Sequence, residues 1–365
     1  MEGKMDDNHF SEKHEELRSE WKKEEKHLEH CVAVIQNNIN GYTEKLKVMR
    51  EETKELYDNY RSNNPELHND LVIGLSMQSN MERALNKNLS ALEKPYFGRI
   101  NYVEHEEGEK VLDKEDPENK IYSLYIGKNG ISKSSTDIVI VDWRAPVSSV
   151  YYDSEIGESF YLSPYGEPIY ISLNLKRTFE ISSSKLIDYY DTDVIANDEF
   201  LTKYLSKSKE VVLGEIIATI QKEQNEIIRD TPWHNVIVQG VAGSGKTTVA
   251  MHRISYTLYN YKEKFRSDEF YIIGSNKMLL NYITGVLPNL DVYNINQMTM
   301  VEFLSTLLSK DFDIKKNKYI FKDNFSKQSD IKKTQNEITL NKFKGSISFI
   351  KALETYINDY EIKTI

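Results

Sequence analysis

The stretch NVIVQGVAGSGKTT, residues 235–248, predicts the fold more directly than any other part of the sequence. Residues 240–247 match the pattern G-x-x-x-x-G-K-[ST] without a gap. Residues 235–239 before the loop, with Val236, Ile237 and Val238 at their centre, are typical of a strand buried in a parallel sheet, and a helix is predicted to follow from Thr247 to about Tyr259. A glycine-rich loop between a strand and a helix binds phosphate, so we predict a nucleotide-binding α/β domain here.

The residue types in this loop point to ATP and Mg²⁺ as cofactors. The backbone N–H groups of such a loop point at the phosphates, a lysine in the position of Lys246 reaches the β- and γ-phosphates, and a hydroxyl in the position of Thr247 joins the Mg²⁺ shell. We therefore take Lys246 and Thr247 as the catalytic candidates. Upstream, the amide of Gln224 offers a donor and an acceptor to an adenine edge. The predicted nucleotide-binding residues are Gln224, Gly240, Gly243, Ser244, Gly245, Lys246, Thr247 and Thr248.

A second buried strand is predicted from Phe270, and it ends in small and polar residues up to Lys277. In a doubly wound sheet the carboxyl ends of the strands form the edge at which ligands bind. Asn276 and Lys277 are therefore candidates for contacts with nucleic acid. The alternative is that Lys277 is an ordinary exposed lysine.

The N-terminal quarter of the sequence has the spacing of a coiled coil. Apolar or tolerated residues alternate at intervals of four and three, at Leu28, Val32, Ile35, Ile39, Tyr42, Leu46, Met49, Thr53, Leu56 and Tyr60. Turn residues follow at 61–65, and a second periodic run contains Leu67, Leu71, Met81, Leu85, Leu89 and Leu92. Two helices joined by so short a loop pack antiparallel, so residues 10–93 are predicted to form a helical hairpin.

The predicted tip of this hairpin is acidic. Lys54 and Arg61 are outnumbered there by six carboxylates, at Glu51, Glu52, Glu55, Asp58, Glu66 and Asp70. Such a cluster either keeps the tip solvated or contacts a partner. The candidates for partner contacts are Glu55, Asp58, Glu66 and Asp70.

A β-rich module follows the hairpin. Four segments rich in β-branched and aromatic residues predict strands at residues 121–127, 137–143, 159–164 and 169–181. The acidic segment 104–118 is predicted to be an exposed loop. Within Asp142-Trp143-Arg144, a buried pair of Asp142 and Arg144 is favoured over a catalytic role.

Composition excludes several classes of protein. The 365 residues are 39% hydrophobic and 28% charged, which is ordinary for a globular protein, and no run reaches the roughly 18 apolar residues of a membrane span. The N-terminal residues lack an apolar signal segment, so we expect a cytoplasmic protein without a membrane partner. The one cysteine, Cys31, excludes an internal disulfide framework. A net charge of -10 argues against a protein that coats nucleic acid by bulk electrostatics.

Several motifs resemble those of known helicases. The Gln224 segment, the loop GVAGSGKTT at 240–248 and GSNK at 274–277 resemble, in order and spacing, superfamily 1 helicases of the UvrD-like type. The long hairpin looks like that of the HelD family, the helicase-like factors that associate with bacterial RNA polymerase. Four further segments also resemble segments of the HelD family: PYFGRI at 95–100, VDWRAPVSSVYYD at 141–153, LKRTFEI at 175–181 and DTDVIANDEF at 191–200.

This resemblance implies a motor-like ATPase with two partners, bacterial RNA polymerase and DNA. One arm, the coiled coil, would enter the secondary channel of the polymerase and another would reach its main channel, which would free stalled polymerase from nucleic acid. The implied location is the cytoplasm, at the nucleoid through the polymerase.

The predicted fold class is α/β, with four parts: a helical coiled-coil arm (1–94), a β-rich module (95–200), a partial RecA-like P-loop domain (201–302) and the start of an inserted helical arm (303–365). The sequence departs from the helicase pattern after Lys246, because no apolar run there ends in the Asp-Glu pair of a Walker B strand, and no second motor domain follows. We therefore expect an N-terminal portion of a longer protein, for which ATP binding is predicted and hydrolysis is left open. The alternatives are a UvrD-like DNA repair helicase, a complete small P-loop enzyme such as a kinase, and a non-enzymatic polymerase-binding protein that acts through its arm.

Overall fold

The computed structural model describes residues 5–61, 65–108, 120–134, 136–164, 166–191, 217–218, 220–309, 339–340 and 342–364. It consists of two compact units, Met1–Thr299 and Met300–Ile365. Three predicted segments lie wholly or mostly outside the described residues: the acidic loop at 104–118, the acidic stretch at 191–200 and the lysine-rich part of 303–365. Of the predicted loop, Glu104 and His105 belong to a strand.

The predicted helical hairpin is confirmed. Helix α1 runs over Met5–Arg61, a short 3-10 turn covers Pro65–Leu67, and helix α2 runs over His68–Glu93. The two helices are antiparallel, because Arg50 pairs with Glu82 at 2.8 Å while Asn38, closer to the start of α1, bonds Asn88 at 3.2 Å. Together they form an arm.

The seam between the arm helices follows the predicted spacing on α1, where all ten predicted residues are buried or half-buried. On α2 the prediction for Leu89 is wrong, because that side chain is 48% exposed and Asn88, 5% exposed, takes its place. The amide of Asn88 accepts a hydrogen bond from Asn38 and donates one to the carbonyl of Ala84 at 2.9 Å. A satisfied polar pair in an apolar seam fixes the register of the two helices.

The β-rich module is a mixed sheet. Its strands within the described residues are β1 (Gly98–His105), β2 (Ile121–Gly127), β3 (Ile131–Ser132), β4 (Ile138–Asp142), β5 (Gly157–Leu162), β6 (Pro168–Ser182) and β7 (Lys185–Asp191). Their order is β3-β4-β2-β1-β6-β5, and β7 pairs with the second half of β6. The β2–β4 pair is parallel and the other pairs are antiparallel. The 3-10 turn Pro146–Ser148 and helix α3 (Ser149–Asp153) follow β4. All four predicted strands are present.

A buried ionic cluster joins the arm to the sheet. Glu24 of α1 is fully buried, and one of its carboxylate oxygens accepts hydrogen bonds from Arg99 at 2.5 Å and Arg177 at 2.7 Å. The other oxygen accepts one from the hydroxyl of Tyr125 at 2.8 Å. Arg177 also forms a two-pronged pair with Asp191 at 2.6 and 2.9 Å. The arm is therefore held on the sheet by the carboxylate of Glu24, whose partners come from β1, β2 and β6. Asp191 of β7 holds one of these partners, Arg177, in turn.

The rest of the first unit carries the glycine-rich loop. It contains α4 (Lys222–Arg229), α5 (Lys246–Asn260), the 3-10 turns Ser267–Glu269 and Leu287–Leu290, and α6 (Lys277–Val286). Strands β8 (Tyr271–Gly274) and β9 (Asn296–Thr299) form a parallel pair.

Two predictions about this region are corrected. Residues 235–239 form no strand, and Ile237 is 96% exposed. Strand β8 exists, but it is not buried, since Tyr271 is 55% and Ile273 40% exposed. A buried parallel strand needs neighbours on both sides and helices on both faces, whereas this sheet has two strands within the described residues. The RecA-like architecture therefore stays a prediction.

The second unit contributes two described helices. They are α7 (Met300–Leu308) and α8 (Ile347–Thr364). Helices there are in keeping with the predicted helical arm at 303–365, whose boundaries stay a prediction.

Candidate nucleotide-binding site

The loop at 240–247 has a backbone that its glycines make possible. Gly243 and Gly245 have φ angles of 83° and 80°, in the left-handed region that other residues rarely adopt. At Gly240 a Cβ would lie 2.6 Å from the hydroxyl of Ser244, so a side chain there would displace that hydroxyl. Helix α5 begins at Lys246, directly after this turn. In proteins that bind nucleotides, a glycine-rich loop followed by a helix start is the kind of structure whose backbone N–H groups surround a phosphate chain.

The side chain of Lys246 turns back towards the start of the loop. Its ammonium donates hydrogen bonds to the carbonyls of Gly240 at 3.0 Å and Val241 at 2.6 Å. Thr247 and Thr248 occupy the first turn of α5 beside it. The ammonium of Lys246 is thus held against the first two residues of the loop.

The structure brings Gln224 to the loop, although the two are distant in sequence. The amide nitrogen of Gln224 would lie 3.5 Å from a Cβ placed on Gly245. Its amide oxygen accepts a hydrogen bond from the backbone of Gln221 at 3.3 Å, which closes a capping box at the start of α4. The donor side of the amide therefore lies next to the glycine-rich loop.

Arg253 fastens α5 to the end of α4, a contact that sequence reasoning missed. Its guanidinium donates to the carbonyls of Ile227 at 2.6 Å, Asp230 at 2.8 Å and Thr231 at 2.9 Å. Ile227 lies in the last turn of α4, whose carbonyls a helix leaves unpaired, and Asp230 and Thr231 directly follow the helix. The helix that carries Lys246 and the helix that carries Gln224 are held together as one support.

A buried histidine faces the sheet module from α5. The ring of His252 is 1% exposed, packs edge-on against Trp143 at 5.5 Å and bonds the carbonyl of Thr248 at 2.7 Å. Burial, helped by the charges of Lys128 and Arg144 and opposed by the hydrogen bond to Thr248, lowers the pKa of His252 from 6.5 to about 4. The imidazole of His252 is therefore neutral in the folded protein at neutral pH.

We expect the protein to lose stability as the pH falls from 6.5 towards 4. The unfolded chain binds a proton at His252 in this range and the folded chain does not, so protons favour unfolding. The loss from this residue should reach about 2–3 kcal/mol, from 1.36 kcal/mol per pKa unit. His252→Gln should flatten the pH dependence in urea titrations at pH 7 and 4.5. Burial also lowers the pKa of His27 to about 4, so His27 should still contribute to the pH dependence of stability in this variant. Equal pH dependence in both proteins would contradict this.

The predicted pair of Asp142 and Arg144 is confirmed and forms part of a longer chain of contacts. Arg144 holds Asp142 through two hydrogen bonds of 2.8 and 2.7 Å, and both residues are buried. Arg144 also reaches Ser255 of α5 at 3.1 Å and Asp291 at 3.4 Å, and Asp291 forms an ion pair with Lys87 of the arm. The module and the loop-bearing helix therefore meet at one guanidinium, and the base of the arm joins them through Asp291. No sequence signal identified Asp291.

Asn276 and Lys277 lie where β8 gives way to α6. The side-chain oxygen of Asn276 accepts a hydrogen bond from the backbone of Leu279 at 2.9 Å, so Asn276 is the N-cap of α6. Lys277 is the first residue of that helix and is exposed. Their proposed contact with nucleic acid stays a prediction, and Asn276 has a structural role in addition.

The predicted partner carboxylates of the arm are exposed on both sides of its turn. Glu55 and Asp58 lie on the last turns of α1, Glu66 lies in the 3-10 turn, and Asp70 lies in the first turn of α2. Glu66 and Asp70 also suit the positive end of the helix dipole. Both interpretations of the acidic tip, solvation and partner contact, are compatible with this placement.

Comparisons with known proteins identify the family. No helix within the described ranges is both long and apolar enough to cross a bilayer. No curated protein matches the chain. Residues 21–204, half of the 365 residues, match the family described as DNA helicase IV HelD, N-terminal domain, and the match covers most of the arm and the sheet. The chain, with its long helix pair placed on a mixed sheet, therefore belongs to the HelD N-terminal domain family.

Proposed function

We propose that the chain is the ATP-binding part of a HelD-like factor that associates with bacterial RNA polymerase and helps to release stalled polymerase from nucleic acid. One observation carries the nucleotide part of this proposal. The loop at 240–247 leads into α5 at Lys246, and Gln224 lies against the same loop at Gly245. The family match supports a helicase-related role.

The residues of the loop fit ATP with Mg²⁺. Gly243 and Gly245 allow the backbone to wrap the phosphates, Lys246 would hold the β- and γ-phosphates, and Thr247 would complete the Mg²⁺ shell. Gln224 would meet the adenine edge. Bound ATP would supply the free energy for separating polymerase from nucleic acid. The chain's own part is to bind and orient the nucleotide.

The polymerase would be reached through the arm. Its register is fixed by the pair of Asn38 and Asn88, its base is held by Glu24, and its tip is acidic and exposed. A rigid arm that presents negative charge at one end suits a positively charged channel. DNA, the second proposed partner, would meet Asn276 and Lys277. We place the protein in the cytoplasm, at the nucleoid through the polymerase.

Reversing the tip charges is expected to weaken capture of RNA polymerase. In the test, Glu55, Asp58, Glu66 and Asp70 are changed to Lys together. Because rim charges act through long-range attraction and the association rate, the polymerase retained by immobilised protein at low salt should fall about tenfold, with a smaller difference at high salt. The measurement is a pull-down with purified RNA polymerase.

A matched variant controls for net charge. Glu25, Glu29, Glu44 and Glu93 are also exposed on the arm but lie away from its turn. Changing these four to Lys alters the net charge equally and should leave capture close to that of the wild type. Undiminished capture by the tip variant at low salt would show that the tip carboxylates only keep the arm solvated.

A further inference from the structure

The helix that carries Gln224 cannot hold its position alone. Helix α4 has eight residues, and isolated helices shorter than about 12–15 residues are marginal in water. Its placement beside the loop must therefore come from residues that bind it to the rest of the protein. Asn225 and Arg229, four residues apart, lie on one face of α4 and bind it to the sheet module, while Arg253 holds the C-terminal end of α4 on α5.

Arg229 binds α4 to the sheet module through the main chain. Its guanidinium donates to the carbonyl of Trp143 at 2.5 Å and to the carbonyl of Ala145 at 3.1 Å. A third nitrogen donates to the side-chain oxygen of Asn225 at 2.9 Å. The guanidinium also lies 5.1 Å from the ring of Tyr256 on α5. One side chain thus contacts the sheet module, α4 and the loop-bearing helix.

Asn225 completes this anchor. It is fully buried, and its amide donates to a carboxylate oxygen of Asp153 at 2.7 Å while its oxygen accepts from Arg229. Neither Asn225 nor Arg229 contacts the phosphate loop in the hydrogen bonds described above. Both therefore act on the site through the orientation of α4.

We infer that Arg229 is a positioning residue for base selectivity: by fixing α4 on the carbonyls of Trp143 and Ala145, it holds the amide of Gln224 where that amide meets adenine. The inference rests on the proposed binding of ATP. The oxygen of the Gln224 amide can accept a second hydrogen bond besides the one from Gln221, so the amide still offers the acceptor and donor that match an adenine edge, whereas guanine presents two acceptors there. A shift of α4 therefore reduces the affinity for ATP and leaves that for GTP almost unchanged.

The test compares ATP and GTP binding by calorimetry in the full chain. Arg229→Ala should weaken ATP binding about tenfold, the worth of one or two hydrogen bonds, with GTP binding almost unchanged. Gln224→Ala should reduce the ATP-to-GTP affinity ratio to the same extent. The double variant should show no further fall, because both changes remove one interaction. Arg266→Ala is the matched control, since Arg266 is exposed and pairs with its neighbour Asp268.

The outcomes separate this inference from the proposed function. Equal weakening of ATP and GTP in Arg229→Ala, or an additive double variant, would overturn the positioning role. If Arg229→Ala does not fold, Arg229→Lys replaces it, because a single ammonium keeps the charge but cannot form the planar fork to two carbonyls. A wild type that binds neither nucleotide contradicts the proposed function itself.

Discussion

Replacing Lys246 with alanine is expected to abolish detectable ATP binding. The ammonium of Lys246 lies at the start of the loop, where it donates to the carbonyls of Gly240 and Val241. Phosphate oxygens carry charge that backbone N–H groups neutralise only in part, so the loop without its lysine leaves the β- and γ-phosphates poorly compensated. The affinity for ATP with Mg²⁺ should fall by about a hundredfold or more, as expected for the loss of a charge-assisted hydrogen bond.

Calorimetry with a second lysine variant makes this result specific. Lys262 is exposed just after α5, and Lys262→Ala removes the same charge at a distance from the loop. That variant should bind ATP as the wild type does. Equal affinities for wild type and Lys246→Ala would exclude the loop as the nucleotide site.

Replacing Glu24 with glutamine is expected to cost about 3–5 kcal/mol in the free energy of unfolding, the range found when one partner of a buried ion pair is removed. Glu24 is fully buried and accepts hydrogen bonds from Arg99, Arg177 and Tyr125. Glutamine can keep an oxygen towards the two guanidinium groups, but it removes the negative charge that they need, and its amide nitrogen takes the place of the oxygen that accepts from Tyr125. Urea unfolding at neutral pH measures the difference.

The neighbouring Glu25 provides the control for Glu24. It lies on the same helix and is exposed, so Glu25→Gln should change the stability by less than about 0.5 kcal/mol. A loss no larger in Glu24→Gln than in Glu25→Gln would mean that Arg177 is sufficiently paired by Asp191 and that Glu24 does not anchor the arm.

The sequence allowed the prediction of structure that depends on nearby residues. The alternation of four and three along α1 identified its buried face from Leu28 to Tyr60, because a helix repeats its faces over a few residues. The loop pattern located the start of α5 to within one residue of Lys246. Leu89 failed because periodicity cannot show that Asn88 has Asn38 as a partner across the seam.

Contacts between distant residues could not be predicted. Glu24 is separated by 75 positions from Arg99 and by 153 from Arg177, and the residues around each of them do not indicate that the three form a cluster. The same holds for Arg229, whose partners Trp143 and Ala145 lie in another module. The prediction of a strand at 235–239 was wrong, because the composition of these residues suits a buried strand but such a strand forms only beside neighbouring strands.

The Asn38–Asn88 pair has a consequence for how the reach of the arm can change in evolution or design. The pair fixes the helix register at one level, so a single insertion between it and the turn would put the two apolar faces out of phase. Adding one heptad to each helix beyond the pair would keep the faces aligned and lengthen the arm by about 10 Å, at 1.5 Å per residue. Length can therefore vary in steps at the far end while the attachment to the sheet is inherited unchanged.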